Sequence, residues 1–377
     1  MGLNNQDEMT MTDTSTISLE TLRDAIDGVD QELLQLLNRR AQLSLQVGEA
    51  KSTTKGAIFK PFREKAVLER LSAHNPGPLP QDHLESIYRE ILSSSRALQR
   101  PQRVVYLGPE GTFSYFAGVH ALGGSAEFHD QPTLEDVFHA VSCGRAELGI
   151  IPLENSLQGT VGQSLDLFLM YEVFIQAEVF CRISHSLLSC NGDKGGITTV
   201  YSHPQALQQC GGWLRQHLPQ AKVVPVESTA AAAARVKNAS EAAIGHSALA
   251  GLYQLQVVAS HIEDLPENWT RFLVIGRGAP PAGNRDKTSL LFSVPDKPGA
   301  LAGVLNLLAR EGVNMRKLES RPMRGERWKY VFFADLECDL GREEYTQLLQ
   351  ALEANCHSFR VLGSYPNGQA LDMGREE

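Results

Sequence analysis

The sequence predicts a multidomain fold of three unlike parts: an all-α block, an α/β block and a small α+β unit. Three observations predict it. At 377 residues the chain exceeds one comfortable hydrophobic core. Its apolar residues recur at helical spacing up to about residue 100 and in short β-branched runs after it. A Pro/Gly-rich stretch, GAPPAGNRDK at 278–287, then sets off a final unit with its own strand and helix pattern.

Composition narrows the function classes. With 42% apolar and 21% charged residues, the chain reads as an ordinary soluble protein. No apolar run approaches bilayer length, and MGLNNQDEMTMTDTSTIS lacks the basic start and apolar centre of a secretion signal. A cytoplasmic location with no membrane partner is therefore expected, and residues 1–17 read as a disordered lead. The net charge of −9 argues against a nucleic-acid partner. The acidic excess lies mainly beyond residue 100, since residues 18–100 carry 12 Lys and Arg against 11 Asp and Glu. Cys143, Cys181, Cys190, Cys210, Cys338 and Cys356 form no CxxC pair and read as reduced thiols. None of the eleven histidines stands in a zinc spacing, so neither metal nor cofactor is expected.

Residues 19–51 read as one long helix, with Leu22, Ile26, Val29, Leu33, Leu36, Leu37, Leu43 and Val47 at helical spacing and Ser18 as its cap. Breaks at STTKGAIFKP and NPGPLP lead into helices near 62–73 and 81–100. One long helix with two short ones makes a narrow core that a lone chain closes poorly, so dimerisation through residues 18–100 is expected. Arg40 and Lys51, eleven residues apart, project from one face, while Arg23 lies about 100° around the helix and serves a different pocket. Arg63 and Glu64 open the second helix, and Ser95 and Gln99 share a face of the third. Such a set suits a dicarboxylate, each charge-assisted bond contributing about 1.5–3 kcal/mol.

From 103 to 280 the runs VVYLG, LGIIPL, YEVFIQAEVF, ITTVYS, AKVVPVE, AAIGH and RFLVIG alternate with helical stretches, which predicts α/β with a largely parallel sheet. GxGxxG is missing and GPEGTFS lacks a phosphate-loop lysine, so nucleotide binding is not expected. The run LGIIPL ends in Glu154, Asn155, Ser156, Leu157, Gln158, Gly159 and Thr160. A strand delivering a carboxylate, an amide and hydroxyls at its carboxyl end is the usual geometry for ligand capture. Thr270 and Arg271 precede a second apolar run, so a hydroxyl and a carboxylate-clamping cation are expected on the same cleft. Together these point to a small anionic substrate. His203, followed by Pro204, reads as a turn cap in preference to a base.

Residues 285–366 spell strand-helix-strand-strand-helix-strand, the ferredoxin-like βαββαβ order, and 367–377 read as a tail. Gly299 is expected where a ligand approaches the backbone closely.

LRDAIDGVDQELLQLLNRRAQLSLQVGEAK followed by FREKAVLERL resembles the all-helical chorismate mutase class over residues 18–100. The resemblance implies an intertwined homodimer in which Arg23 reaches the partner's site. Arg40 and Arg63 would hold carboxylates, Lys51 and Gln99 the ether oxygen, and Glu64 and Ser95 the ring and its hydroxyl. Where family members often carry an acid three positions before Arg63, this chain has Lys60. GPEGTFS, LENSLQGTV, YSHPQALQQC, VESTAAAA and WTRF occur in the order found in prephenate dehydratases, a resemblance spanning 103–280. It implies two α/β lobes around a cleft, similar to periplasmic binding proteins, with Thr270 as the proton donor. That hydroxyl would be polarised by a neighbour such as Arg271, Glu154 or Ser202. Thr112, Asn155, Ser156, Gln209, Ser228 and Thr229 complete the expected substrate contacts, together with Glu154, Ser202 and Arg271. DKPGALAGVL and ESRP resemble the ACT regulatory domain. That implies L-phenylalanine bound between paired domains by Gly299, Ala300, Leu301, Asn314, Leu318, Glu319 and Ser320.

The expected function is therefore a bifunctional enzyme, homodimeric or tetrameric, that converts chorismate to prephenate and prephenate to phenylpyruvate, with feedback inhibition by L-phenylalanine. Thr270, Lys51, Gln99 and Arg40 are its expected catalytic residues. The rivals are a monofunctional dehydratase with a helical dimerisation arm, and a non-enzymatic amino-acid-binding regulator.

Overall fold

A computed structural model describes residues 18–52, 59–280, 283, 285–322, 330–368 and 370–371; the expected lead, 1–17, lies outside them. The chain divides into two compact units near residue 56. The first holds α1 (Leu19–Ser52), capped by Ser18, whose Oγ accepts from the Thr21 amide at 3.1 Å. Leu22, Ile26, Val29, Leu33, Leu36, Leu43 and Val47 on this helix are 44–64% exposed, an apolar face left in water in the single chain.

The second unit begins with α2 (Pro61–Ala73) and α3 (Gln81–Gln99). Proline opens α2, where its missing N–H costs nothing. Arg96 ties α3 to its surroundings: this buried guanidinium donates to Gln102 Oε1 at 3.1 Å, to Glu64 and to the Leu122 carbonyl.

The first α/β lobe runs β1 (Arg103–Leu107), α4 (Phe113–Leu122), β2 (Glu127–Gln131), α5 (Leu134–Ser142), β3 (Leu148–Asn155), β4 (Gly159–Thr160), α6 (Gly162–Met170) and β5 (Phe174–Arg182). At 183–185 the chain crosses to a second lobe: β6 (Ser186–Ser189), β7 (Thr199–Ser202), α7 (Pro204–Gln209), α8 (Gly211–His217), β8 (Lys222–Pro225), α9 (Thr229–Arg235), β9 (Glu241–Gly245), α10 (Leu249–Tyr253) and β10 (Gln256–Ala259). It returns through 260–268 to β11 (Trp269–Gly276), which inserts between β3 and β5. The two crossings bound a cleft.

The expected largely parallel sheet is corrected here. β1 runs parallel to β2 and β3, but β11 runs antiparallel to both β3 and β5. β5 carries the chain out of the lobe and β11 brings it back, so neighbours in the sheet must point opposite ways. In the second lobe, ordered β10-β6-β9-β7-β8, β7 is parallel to β8 and β9, whereas β6 is antiparallel to β9 and β10.

The C-terminal domain keeps the expected order: β12 (Lys287–Ser293), α11 (Ala300–Arg310), β13 (Met315–Pro322), β14 (Tyr330–Leu336), α12 (Thr346–Asn355) and β15 (Ser358–Tyr365), in an antiparallel sheet ordered β13-β14-β12-β15. β12 is buried along its whole length because the pleat sends alternate residues two ways. Leu290 and Phe292 pack with Val304, Leu308 and Leu352 of the domain's own helices. Leu291 joins Val331, Phe333, Leu362 and Tyr365 in one core with Ile151, Phe168, Ile175 and Leu273 of the first lobe. The C-terminal sheet and the first lobe thus share a hydrophobic layer. Residues 370–371, expected as tail, form β16 (Ala370–Leu371), which pairs in parallel with Phe180 and Cys181 of β5.

All six cysteines are free. Burial pushes the Cys181 thiol up to about 12, whereas Cys143 is exposed and a hydrogen bond from Arg145 Nε, at 3.1 Å, pulls its thiol down.

Candidate functional site

The interlobe cleft encloses a cavity of about 440 Å³. Its floor is Thr270 on β11 and Asn155 at the end of β3, register partners in adjacent strands. Asn155 Oδ1 accepts from the backbone amides of Leu157 (3.0 Å) and Gln158 (3.1 Å). Those two donors fix which end of the amide is oxygen. Nδ2 consequently faces the other way and donates to Thr270 Oγ1 at 2.9 Å and to Asn268 Oδ1 at 2.7 Å. Since Thr270 Oγ1 accepts from Asn155, its own proton is left to point elsewhere.

Three helices present their first turns to the cavity. Thr112 caps α4, accepting from Tyr115 N; His203 caps α7, its Nδ1 accepting from Gln205 N at 3.3 Å; Ser228 caps α9, accepting from Ala231 N at 2.9 Å. Helix amino ends favour anions. The Nδ1 contact places the His203 proton on Nε2, and burial pushes that ring's pKa down. Gln209 lines the cavity with its Oε1 2.8 Å from His185 Nε2. His185 is buried, its Nδ1 has no protein partner, and desolvation holds its pKa below the ordinary value against the pull of Gln209 and Glu263. Thr229 also lines the cavity.

Four expected cleft residues lie elsewhere. Arg271 faces the opposite side of β11, because neighbours along a strand alternate. It is buried against Glu178 (Nε to Oε2, 2.8 Å), Asp335 and Tyr365 OH (3.1 Å), with Lys287 Nζ 2.7 Å from the same Glu178. Burial opposes its charge, yet Tyr365, Asp335 and Glu178 hold its pKa above the usual value. Glu154 points away from the cavity to Lys317. Ser156 accepts from the Trp269 amide, and Ser202 donates to the Ile244 carbonyl. Thr270 is thus neighboured by Asn155 in place of the expected Arg271, Glu154 or Ser202. Among the described residues, no Lys or Arg lines the cavity. Gln158 and Thr160 of the expected polar cluster line it, as do Phe113 and His185, which the sequence did not single out; His185 sits in a crossing segment that carries no periodicity.

The helical block's expected residues fall in both compact units. Arg23 is exposed and Arg40 half-buried on α1; Lys51 is in its last turn, and its side chain lies outside the described residues. Arg63 is exposed at the start of α2 beside Glu64, which accepts from Arg96. On α3, Ser95 Oγ donates to the Ile91 carbonyl at 2.7 Å and Gln99 Nε2 to the Ser95 carbonyl at 3.1 Å.

In the C-terminal domain, Gly299, Ala300 and Leu301 line a cavity of about 460 Å³ with Lys297, Tyr330 and Phe332. Gly299 has φ +81°, a left-handed backbone that favours glycine, and open space where a Cβ would stand. Asn314, Leu318, Glu319 and Ser320 do not line that cavity. Asn314 donates to Glu337, Glu319 accepts from Thr160, and Leu318 and Ser320 face solvent on the outer strand β13.

Residues 22–100 match the chorismate mutase type II family, 104–280 the prephenate dehydratase family and 288–354 the ACT domain. The chain is 41% identical over 348 residues, 91% of its length, to a Neisseria gonorrhoeae bifunctional chorismate mutase/prephenate dehydratase, covering 96% of that protein. Among solved structures it resembles prephenate dehydratase from Arthrobacter aurescens in complex with L-Phe (TM-score 0.64, 31% identity, 71% of this chain and 92% of that one). It also resembles the quorum-quenching acylase GqqA (TM-score 0.65, 31% identity, 71% and 98%).

Proposed function

This chain belongs to the bifunctional chorismate mutase/prephenate dehydratase family, and on that premise we propose the roles its residues take. The enzyme rearranges chorismate to prephenate and converts prephenate to phenylpyruvate, in phenylalanine biosynthesis. The proposed functional boundaries are 18–100 for the mutase, 103–280 for the dehydratase and 285–366 for the ACT domain, working in the cytoplasm.

In the dehydratase cleft, Thr270 is the proton donor. As the ring carboxylate leaves as carbon dioxide, its bonding electrons enter the ring, the opposite C–O bond breaks, and the departing hydroxide takes the Thr270 proton and leaves as water. The threonine oxygen regains a proton from solvent, so one solvent proton is consumed per turnover. The observation that carries this is Asn155 Nδ2 donating to Thr270 Oγ1, which stabilises negative charge on that oxygen and leaves its hydrogen free for the leaving group. The first turns of α4, α7 and α9 hold the dianion. Thr112, Asn155, Gln209, Ser228 and Thr229 are its contacts.

The mutase site forms between two copies. Arg40 and Arg63 hold carboxylates, Lys51 and Gln99 face the ether oxygen, Glu64 and Ser95 place the ring, and Arg23 comes from the second copy. A pericyclic rearrangement needs only a fixed conformation and donors at the oxygen where charge develops. The exposed apolar face of α1 is what that second copy covers, making a homodimer.

L-Phenylalanine binds the ACT domain at Gly299, Ala300 and Leu301 of one protomer against Leu318 and Ser320 of the next, and lowers dehydratase turnover. The test is to incubate purified protein with chorismate, follow prephenate and phenylpyruvate separately, and then add phenylalanine. Prephenate should rise and decay into phenylpyruvate, with phenylalanine slowing the second phase. Failure of phenylpyruvate to form would overturn the dehydratase assignment, and an unchanged second phase the inhibition.

A further inference from the structure

One strand of the C-terminal domain reaches the catalytic hairpin. β13 is the outer strand of its sheet, bonded on one side only, to β14. Its residues alternate: Lys317, Glu319 and Arg321 are half-buried, whereas Leu318 and Ser320 are exposed. The half-buried set meets the first lobe at the segment that closes the cleft. Lys317 Nζ lies 2.7 Å from Glu154 Oε1 and donates to Thr160 Oγ1 at 2.7 Å; Thr160 Oγ1 in turn donates to Glu319 Oε2 at 3.1 Å. Arg321 meets Asp166 on α6 at 3.3 Å.

Glu154 and Thr160 are cross-strand partners in the β3–β4 hairpin, as are Asn155 and Gly159. A single ammonium therefore clamps both strands of the hairpin one residue away from Asn155, the residue that holds Thr270. The side chain of Lys317 is 12% exposed against 36% for Glu154, so it is the ammonium, with its second bond to Thr160, that is held out of solvent.

We propose that Lys317 is a positioning residue for the dehydratase reaction, holding the β3–β4 hairpin so that Asn155 stays against Thr270, and that β13 carries effector occupancy to the same hairpin. The second half rests on the reading that phenylalanine binds the ACT domain. The strand suits the task because its two faces share one backbone. A ligand gripping Leu318 and Ser320 on the outer face cannot shift the strand without shifting Lys317 on the inner one. For that to change the rate, the ligand must prefer one of the two strand positions.

The test uses the full-length Lys317→Met and Lys317→Arg variants, with chorismate mutase turnover of the same chain as the control for folding. Lys317→Met should lower dehydratase kcat about tenfold with KM within about twofold of the parent, and Lys317→Arg should recover most of it. Mutase turnover should stay at the parent value. Phenylalanine should still bind Lys317→Met by calorimetry while its inhibition of the residual rate is largely lost. A Lys317→Met enzyme with parental kcat and parental inhibition overturns the proposal, and so does parallel loss of both activities, which would mean a merely structural role. Should the parent protein bind no phenylalanine, the regulatory reading fails with the relay, and the kcat of Lys317→Met alone decides the positioning role.

Discussion

At the scale of single residues, Thr270 and Arg271 separate cleanly. Thr270→Ala removes the proposed proton donor, so dehydratase turnover should fall by about 100-fold or more while mutase turnover stays near normal; equal loss of both rates would remove Thr270 from the role. Arg271→Met leaves Asp335 buried without its cation and should cost about 3–5 kcal/mol of stability in a thermal or denaturant melt, with little change in dehydratase KM. A clamp on substrate would do the reverse. His120, half-buried in the last turn of α4, has its pKa lowered from 6.5 to about 4 by burial and then by Arg89. The unfolded chain thus binds the extra proton between those values, and stability falls as pH drops from 6.5 to 4, by on the order of 3 kcal/mol. Melts of His120→Gln should show a shallower loss over that window. Thr270 and Asn155 were legible as polar residues at the ends of apolar runs. Arg271 follows the pleat instead, since strand alternation turns consecutive side chains to opposite faces. His185 was not legible, because nothing local marks which histidine a crossing segment will bury.

At the scale of elements, the number and order of strands in the C-terminal domain and the three helices of the amino-terminal block track the hydrophobic period closely. Strand direction does not come from it. RFLVIG reads the same whichever way it runs, and only the second crossing of the lobes makes β11 antiparallel to β3 and β5. β16 was invisible for a related reason: two residues carry no period, and their pairing with Phe180 and Cys181 is decided by the sheet edge they meet. Removing residues 367–377 should uncover the β5 edge and lower the melting midpoint by about 2–4 °C for each kcal/mol lost. An unchanged midpoint would show that the edge needs no cover.

For the molecule as a whole, the proposed homodimer rests on the apolar stripe of α1. Leu33→Glu together with Ile26→Glu places charges on that stripe, and sedimentation should then report monomers that retain dehydratase turnover but lose mutase turnover. A mutated protein that stayed dimeric with full mutase activity would move the interface elsewhere. The exposed stripe was legible because apolar residues recur at helical spacing along α1; the shared core between the ACT sheet and the first lobe was not, because it is built from residues far apart in sequence. The thiols add a practical corollary. Because Cys143 sits on the outside of the first lobe with an activated sulfur while Cys181 is sealed in beside the reaction centre, a maleimide dye should attach to the native protein at Cys143 first. With Trp269 and Trp328 replaced by phenylalanine, energy transfer from Trp213 in the other lobe would then read the distance between the two lobes with and without substrate, without engineering a single new cysteine.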